Sequence, residues 1–292
     1  MKTSNKLLII LAVALFVIPV VGMVYYAKVN RVDGKMYDAA IKNEGKNADV
    51  ADRFLISRKV EQFDKVVIEG SNNLYTSVSV VKSNVPLVKF TKNTESVFTT
   101  SVDQATRTLT IKVDSLKRYR YSSIFVFVPD LESITLNNIQ ISKFDTDFDH
   151  VNILASNINN SLNFGQNSGL KSLTLTVKDS RFSIGKSHRD DSFLTGLENF
   201  ELNIINGGVS LAPMNYKSIR VNLQNSDFNF INEDRGDQTS ASSIQDLAIN
   251  SQGIADISLP EKTVEIGKLS GSLSDSTTTN LPHYKVKNLF NK

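Results

Sequence analysis

The sequence predicts an all-β fold, a stacked single-chain β-solenoid (β-helix-like), preceded by one amino-terminal transmembrane helix. Segments of alternating apolar residues return every few tens of residues through the second half of the chain. A short turn of Asn, Asp, Ser or Gly interrupts each segment at the same offset, which is typical of short strands joined by tight turns. The first residues differ, because they contain one long uncharged stretch.

That uncharged stretch is Leu7 to Tyr26, and its 20 residues, at ~1.5 Å each, are long enough to cross a bilayer. An uncleaved anchor is favoured, since Tyr25 and Tyr26 fit an interfacial aromatic belt. A secretory signal is the alternative, with a weak cleavage motif at Val20-Val21-Gly22. Because a short amino-terminal tail normally stays inside, we expect a single-pass protein of the inner (cytoplasmic) membrane with its body outside the cytoplasm. After cleavage it would instead be secreted or associated with the outer membrane.

Composition divides the chain into four predicted segments. They are the anchor or signal peptide (1–27), a stalk or linker (28–58), the β-solenoid domain (59–270) and a carboxy-terminal cap and tail (271–292). The opening strands of the third segment are predicted at Phe63–Gly70, Leu74–Val81, Leu87–Phe90 and Thr108–Val113. A further strand, Ile124–Val128, is apolar on both faces and should lie centrally buried. Pro129 ends it.

The repeat is clearest in three copies. Their apolar positions and turns are Leu173, Leu175, Val177 before Lys178-Asp179-Ser180; Phe200, Leu202, Ile204 before Asn206-Gly207-Gly208; and Ile219, Val221, Leu223 before Asn225-Ser226-Asp227. A fainter copy starts at Ile153, and a fifth starts at Leu247 with one residue inserted. One such unit cannot bury its apolar face alone, so stacked neighbours must form the core. An antiparallel sandwich is the alternative, although it does not require the same turn at the same offset.

Two inserted segments, 185–192 and 232–240, lengthen alternate copies. Both follow the second strand of their copy, so in a stacked fold they emerge on the same side, two rungs apart at ~4.8 Å per rung. Insertions at equivalent positions of repeat proteins usually mark the functional face. The candidate ligand-binding residues of this loop face are Lys186, His188, Arg189, Asp190, Asp191, Glu233, Asp234, Arg235 and Asp237. The alternative is that both loops are solvated and bind nothing.

Composition excludes several classes of protein. A net charge of +3 without an extended Lys/Arg cluster argues against nucleic-acid binding. The three histidines, His150, His188 and His283, are scattered, so no metal site and no cofactor is predicted. Asp145-Thr146-Asp147 begins like a calcium loop but lacks its later glycine and acid, which favours a solvated acidic stripe. Lys117-Arg118-Tyr119-Arg120-Tyr121 mixes cations with aromatics, although a hairpin rim accounts for it as well.

The ordered strands resemble those of the head GIN domain family of auto-transporter adhesins from Bacteroidetes-like bacteria. The resemblance rests on Val60–Gly70, Arg107–Val113 and Ile124–Ile134, and it covers residues 55 to 270. It implies an all-β, solenoid-like fold in the cell envelope and brings no catalytic residues with it. The chain departs from the family in having few glycines in its repeat turns, and an anchor where a cleaved or lipidated leader is common.

The predicted function is non-catalytic: a membrane-anchored extracytoplasmic β-solenoid that binds or organises a cell-envelope component, either polysaccharide or protein. The alternative is a secreted or surface adhesin-like module. A polysaccharide-degrading enzyme is a third hypothesis, because β-solenoids host such enzymes. Its paired carboxylates would have to come from the loop face, and the chain has no Trp to provide a sugar platform. Oligomeric state and ligand identity do not follow from the sequence.

Overall fold

The computed structural model describes residues 3–30, 34–50, 53–70, 75–114, 121–165, 169–185, 197–212, 215–231, 242–259, 264–281, 286–287 and 289. The chain forms two compact units, Met1–Asn43 and Glu44–Lys292. An all-β body with one long amino-terminal helix is confirmed. The four predicted segments and their boundaries stay a prediction.

Helix α1 spans Thr3–Asn30, and helix α2 spans Gly34–Lys46. Over Thr3–Val29, α1 is long and apolar enough to cross a membrane. Its apolar side chains, such as Leu7, Phe16 and Tyr26, are exposed, which is unfavourable in water. An anchor and a secretory signal both meet this description.

Nineteen strands and one 3₁₀ helix, Lys92–Val97, form the rest of the described structure. The strands are β1 Leu55–Lys59, β2 Lys65–Glu69, β3 Tyr75–Lys82, β4 Leu87–Thr91, β5 Phe98–Asp103, β6 Thr108–Val113, β7 Tyr121–Val128, β8 Ser133–Asn137, β9 Gln140–Thr146, β10 His150–Ser156, β11 Asn159–Leu162, β12 Ser172–Lys178, β13 Arg181–Ile184, β14 Asn199–Ile205, β15 Gly208–Leu211, β16 Tyr216–Phe230, β17 Ser242–Ser258, β18 Val264–Ser272 and β19 Thr277–Thr279.

Parallel strands of successive repeats pair with one another to form what we call the first arm. Its order is β6-β2-β8-β10-β12-β14-β16-β17-β18, and every neighbouring pair is parallel. The pairing is in register with the apolar pattern: Leu175 pairs with Leu202, which pairs with Val221. The apolar side chains of one strand therefore lie directly against those of the next, and together they form a continuous buried core.

A second arm contains the other strand of each repeat. Strands β11, β13 and β15 pair in parallel, and the later halves of β16 and β17, with β19, continue that order. Strands β3, β7 and β9 also pair in parallel, within a five-stranded sheet of order β1-β4-β7-β3-β9. The antiparallel sandwich is therefore wrong for the repeats, although β1, β4 and β5 pair antiparallel with their neighbours.

The corner between the arms uses the same backbone turn in successive repeats. From β8 to β17, one residue at each corner has φ between 48° and 69°: Asn138, Asn157, Asp179, Asn206, Asn225 and Gly253. Asparagine, aspartate and glycine tolerate this left-handed conformation better than other residues do. The next residue is a serine in two corners. The Ser180 hydroxyl accepts from Ile158 N at 2.9 Å, and that of Ser226 accepts from Gly207 N at 3.2 Å, so these corners are bonded to the preceding rung.

The first repeats do not follow sequence order in space. Strand β2 lies between β6 and β8, and β3 likewise lies between β7 and β9. The intervening strands β4 and β5 pair antiparallel with β7 and β6, and so occupy the next positions in the two sheets. The prediction that Ile124–Val128 is centrally buried is confirmed, because β7 lies between β4 and β3 and its residues from Ile124 onward are buried.

A buried lysine and a buried glutamate fix the start of the second unit to the five-stranded sheet. The Lys89 ammonium, on β4, donates to the carbonyls of Glu44 (3.2 Å), Asn47 (2.9 Å) and Val50 (3.3 Å). The Glu44 carboxylate accepts from the backbone N–H groups of residues 53 to 55 at 2.9–3.1 Å. A Cβ atom at Gly45 would overlap the Phe125 ring. This segment thus covers part of the outer face of the sheet.

Candidate functional site

The predicted loop face lies outside the described residues. This applies to all nine of its candidates: Lys186, His188, Arg189, Asp190, Asp191, Glu233, Asp234, Arg235 and Asp237. The strands that precede the two loops are described, and their last residues are aligned. Ile184 pairs with Leu211, which pairs with Phe230. The role of the loops stays a prediction.

The other polar residues that the sequence singled out either do not come together or form ion pairs with lysines. Among the described residues, no group of three or more His, Asp or Glu side chains could hold a metal ion. Asp145 lies 3.3 Å from the Lys143 ammonium, and Asp149 lies 3.1 Å from that of Lys171. His188 and His283 lie outside the described residues, as do Lys117 to Arg120.

A row of amide side chains crosses the outer face of the first arm, at one position on three adjacent strands. Asn203, Asn222 and Asn250 are Cα partners on β14, β16 and β17. The Asn222 amide donates to the Asn203 Oδ1 at 2.7 Å, and the Asn250 amide donates to the Asn222 Oδ1 at 2.9 Å. Such ladders stabilise stacked strands, and they orient each amide along the stack.

A cavity of about 470 Å³ lies over this row, and we call it the amide groove. Its polar lining consists of Thr176, Asn203, Asn222, Gln224, Asn250 and Gln252, with Ile204, Ile205 and Leu223 as the apolar part. The volume is within the usual range for small-molecule sites. None of these side chains is charged, so the groove has no fixed charge of its own.

The amide groove retains unused hydrogen-bonding capacity. Each amide has two donor hydrogens and an oxygen that can accept two bonds, and the ladder uses one donor each of Asn222 and Asn250 and one acceptor position each of Asn203 and Asn222. Gln224 and Gln252 are exposed, and no side-chain hydrogen bond is found for either within the described part of the chain. The groove can therefore donate to and accept from the same ligand over neighbouring rungs.

Sequence reasoning missed the amide groove because each asparagine occupies an outward position that is usual for a solvated polar residue. The available signal was the alignment of the copies. Leu202-Asn203-Ile204, Val221-Asn222-Leu223 and Ile249-Asn250-Ser251 place an asparagine at one offset in three consecutive repeats. The concavity depends on the sizes of neighbouring side chains, which the repeat pattern does not determine.

No known family matches the sequence, and no curated protein matches it. The resemblance to the head GIN domain family therefore stays a prediction. Among solved structures, the chain is similar to a "putative adhesin" of Parabacteroides distasonis, with 12% identity, 77% of this chain and 92% of the other covered, and a TM-score of 0.42. A "putative adhesin" of Bacteroides fragilis shows 15% identity over 79% and 98% of the two chains, with a TM-score of 0.38.

A "putative lipid binding protein" of Parabacteroides distasonis is also similar, with 12% identity over 78% of this chain and 98% of the other, and a TM-score of 0.34. Because these TM-scores are below 0.5, the likenesses carry no functional argument for this chain. Its function is therefore argued from its own geometry.

Proposed function

We propose that this chain is a non-catalytic, membrane-anchored β-solenoid of the cell envelope that binds an uncharged polysaccharide in the amide groove. The observation that carries the proposal is the alignment of Asn203, Asn222 and Asn250 beneath a cavity of about 470 Å³. Hydroxyl groups of sugars both donate and accept, as do amides. An uncharged ligand also avoids the large cost of desolvating an ion on the protein surface.

The solenoid part of the proposal is supported by the parallel, in-register pairing of both arms and by the repeated corner. Successive rungs are spaced by ~4.8 Å, so the same amide recurs at a fixed distance along the stack. A polymer with a regular repeat could meet equivalent groups on successive rungs. This geometry favours an extended chain over a compact ligand.

The anchoring part rests on α1, whose apolar side chains need a membrane or a translocation machinery. We propose that Leu7–Tyr26 stays in the inner membrane and that the body lies outside the cytoplasm. Under the alternative, the leader is cleaved and the chain is a secreted or surface adhesin-like module. The intact mass of the mature protein from each cell fraction distinguishes the two: a full-length mass in the inner membrane supports the anchor, and a start near residue 22 contradicts it.

The loop face remains a proposed second contact surface for an envelope component. Lys186, Arg189 and Arg235 provide positive charge, and Asp190, Asp191 and Asp237 provide negative charge. A surface with both signs suits a protein or a charged polymer better than it suits a neutral glycan. Replacing the acids Asp190, Asp191, Asp234 and Asp237 by alanine should remove that contact while leaving the melting temperature unchanged.

Gln224 and Gln252 provide the sharpest test of the amide groove, because they line it without supporting the described fold. A Gln224→Ala/Gln252→Ala double variant of the detergent-solubilised full chain should bind an uncharged soluble polysaccharide at least tenfold more weakly, at an unchanged melting temperature. Asn199→Ala is the matched control, since Asn199 is exposed on the outer face of the same arm but outside the groove. Equal binding by the double variant and the parent would contradict the proposal.

A further inference from the structure

Two tyrosines on neighbouring strands of the five-stranded sheet are exposed and in contact with each other. Tyr75 on β3 and Tyr121 on β7 are Cα partners, and their ring centroids lie 5.7 Å apart at an interplanar angle of 28°. Tyr121 is 71% exposed and Tyr75 is 45% exposed. Neither ring belongs to the apolar core. Their position is therefore better suited to contact with another molecule.

The tyrosine pair lies on the part of the sheet face that the Glu44–Val50 segment leaves open. That segment packs on Phe125 through Gly45, and it bonds to Lys89, whose ammonium lies 5.6 Å from the centroid of the Phe127 ring. At the other end of β7, the corresponding outward position is occupied by the exposed Tyr121. The same strand thus has one covered aromatic end and one uncovered aromatic end.

An acceptor without a hydrogen-bond partner lies beside the open end. Gln140 on β9 is the Cα partner of Tyr75, and its Oε1 atom is buried with no hydrogen bond among the described residues. Ser77 and Ser123, the next outward residues on β3 and β7, are Cα partners of each other. An unpaired acceptor of this kind favours a ligand that forms hydrogen bonds.

We propose that Tyr75 and Tyr121 form a platform for a pyranose ring of a polysaccharide, a binding site separate from the amide groove. A sugar ring has an apolar face that can stack on tyrosine and hydroxyl groups that can hydrogen-bond to the half-buried Gln140 amide. Tyrosine provides rigid, amphipathic contact area at little cost in conformational entropy. A lipid surface or an apolar patch of a second copy would cover the rings but would leave the Gln140 amide unpaired. The chemistry therefore favours the sugar.

Tyrosine fluorescence provides a direct test, because the chain has eight tyrosines and no tryptophan. The detergent-solubilised full chain would be titrated with dextran, mannan, xylan and soluble peptidoglycan fragments. We expect a saturable change in tyrosine emission with at least one of them. Tyr121→Ala should weaken that binding at least tenfold, whereas Tyr121→Phe, which keeps the ring, should stay within threefold of the parent. Because Tyr121 is exposed, neither change should alter the melting temperature.

Two control variants distinguish binding at the platform from nonspecific apolar contact and from binding in the amide groove. Ile254→Ala removes an equally exposed apolar side chain, 73% exposed, outside the platform, and it should bind like the parent. The Gln224→Ala/Gln252→Ala variant should keep the Tyr121-dependent signal, so failure of the groove and failure of the platform are distinguishable. A signal that survives Tyr121→Ala, or no signal with any of the four polymers, overturns the proposal. Loss of a concentration-dependent dimer as the sole effect of Tyr121→Ala would assign the face to a second copy instead.

Discussion

Two regions of the second unit maintain their structure in different ways. The ladder region, from β8 to β19, repeats one arrangement, with apolar residues in register and a left-handed residue at each corner as far as β17. The cap region, Glu44 to Val128, shares the apolar core but adds single polar contacts between distant residues, such as the bonds from Lys89 to carbonyls 39 to 45 positions away. In the ladder region a lost contact has equivalents in neighbouring rungs, whereas the single polar contacts of the cap region have none. Single substitutions should therefore be more damaging in the cap region.

The largest effect is expected from Lys89→Met, which removes the buried ammonium and leaves three carbonyls without their donor. Unpaired buried polar groups are costly, so we expect the free energy of unfolding to fall by about 3–5 kcal/mol. Chemical denaturation of the variant and the parent measures this. Lys92→Met is the matched control, because the Lys92 ammonium also bonds a carbonyl of this segment, that of Arg53 at 2.8 Å, but on the surface. A loss below ~1 kcal/mol for Lys89→Met would contradict this account of the cap region.

Glu44→Ala should have the second largest effect. Its carboxylate accepts from three consecutive backbone N–H groups, which alanine would leave without an acceptor. We expect a loss of about 2–3 kcal/mol in the free energy of unfolding, measured in the same way. Glu61→Ala, at an exposed position, should change the free energy by less than ~0.5 kcal/mol. Equal effects of the two variants would mean that the Glu44 bonds contribute nothing measurable.

A corner substitution tests the ladder region. Asn206 has φ of 52°, so Asn206→Ala should cost about 1 kcal/mol, whereas Asn206→Gly, which adopts this conformation freely, should cost less. Asn199→Ala, at an exposed position on β14, is the control for loss of an asparagine side chain. If alanine and glycine at position 206 are equally stable, the left-handed corner does not constrain the turn. Thermal unfolding resolves a difference of this size.

The smallest effect concerns alkaline pH. Burial raises the pKa of Tyr216, whose hydroxyl donates to the Ala212 carbonyl at 3.4 Å. Below pH ~10, tyrosine is protonated in both the folded and the unfolded chain, so its contribution to stability is complete there. Above that pH the unfolded chain ionises first, and the folded state loses stability. Tyr216→Phe should reduce the fall in stability between pH 9 and 12, as followed by urea denaturation; an identical fall in parent and variant would contradict this.

The contrast between the regions also accounts for what the sequence could predict. The repeat that begins with Leu173 to Ile184 has apolar positions and a turn at fixed offsets. Both features depend on residues close in sequence, so they could be predicted. Lys89 has no such signal, because a lysine between Val88 and Phe90 usually faces solvent, and its burial depends on the distant Glu44–Val50 segment. The reversed order of β2 and β6 likewise depends on long-range pairing of β4 and β5. At the amide groove, the sequence shows that an asparagine recurs at one offset, but it does not predict the cavity.

The in-register parallel stack is the central claim, and a designed disulfide tests it most directly, since the chain contains no cysteine of its own. Glu201 and Arg220 are outward-facing Cα partners on β14 and β16. Neighbouring strands lie ~4.8 Å apart, within the range that a disulfide bridges. A Glu201→Cys/Arg220→Cys variant should therefore crosslink on mild oxidation in nearly full yield, whereas Glu201→Cys/Asn222→Cys, displaced by two residues, should crosslink poorly. The reverse preference, or equal yields, would contradict the register on which the ladder region and the amide groove both depend.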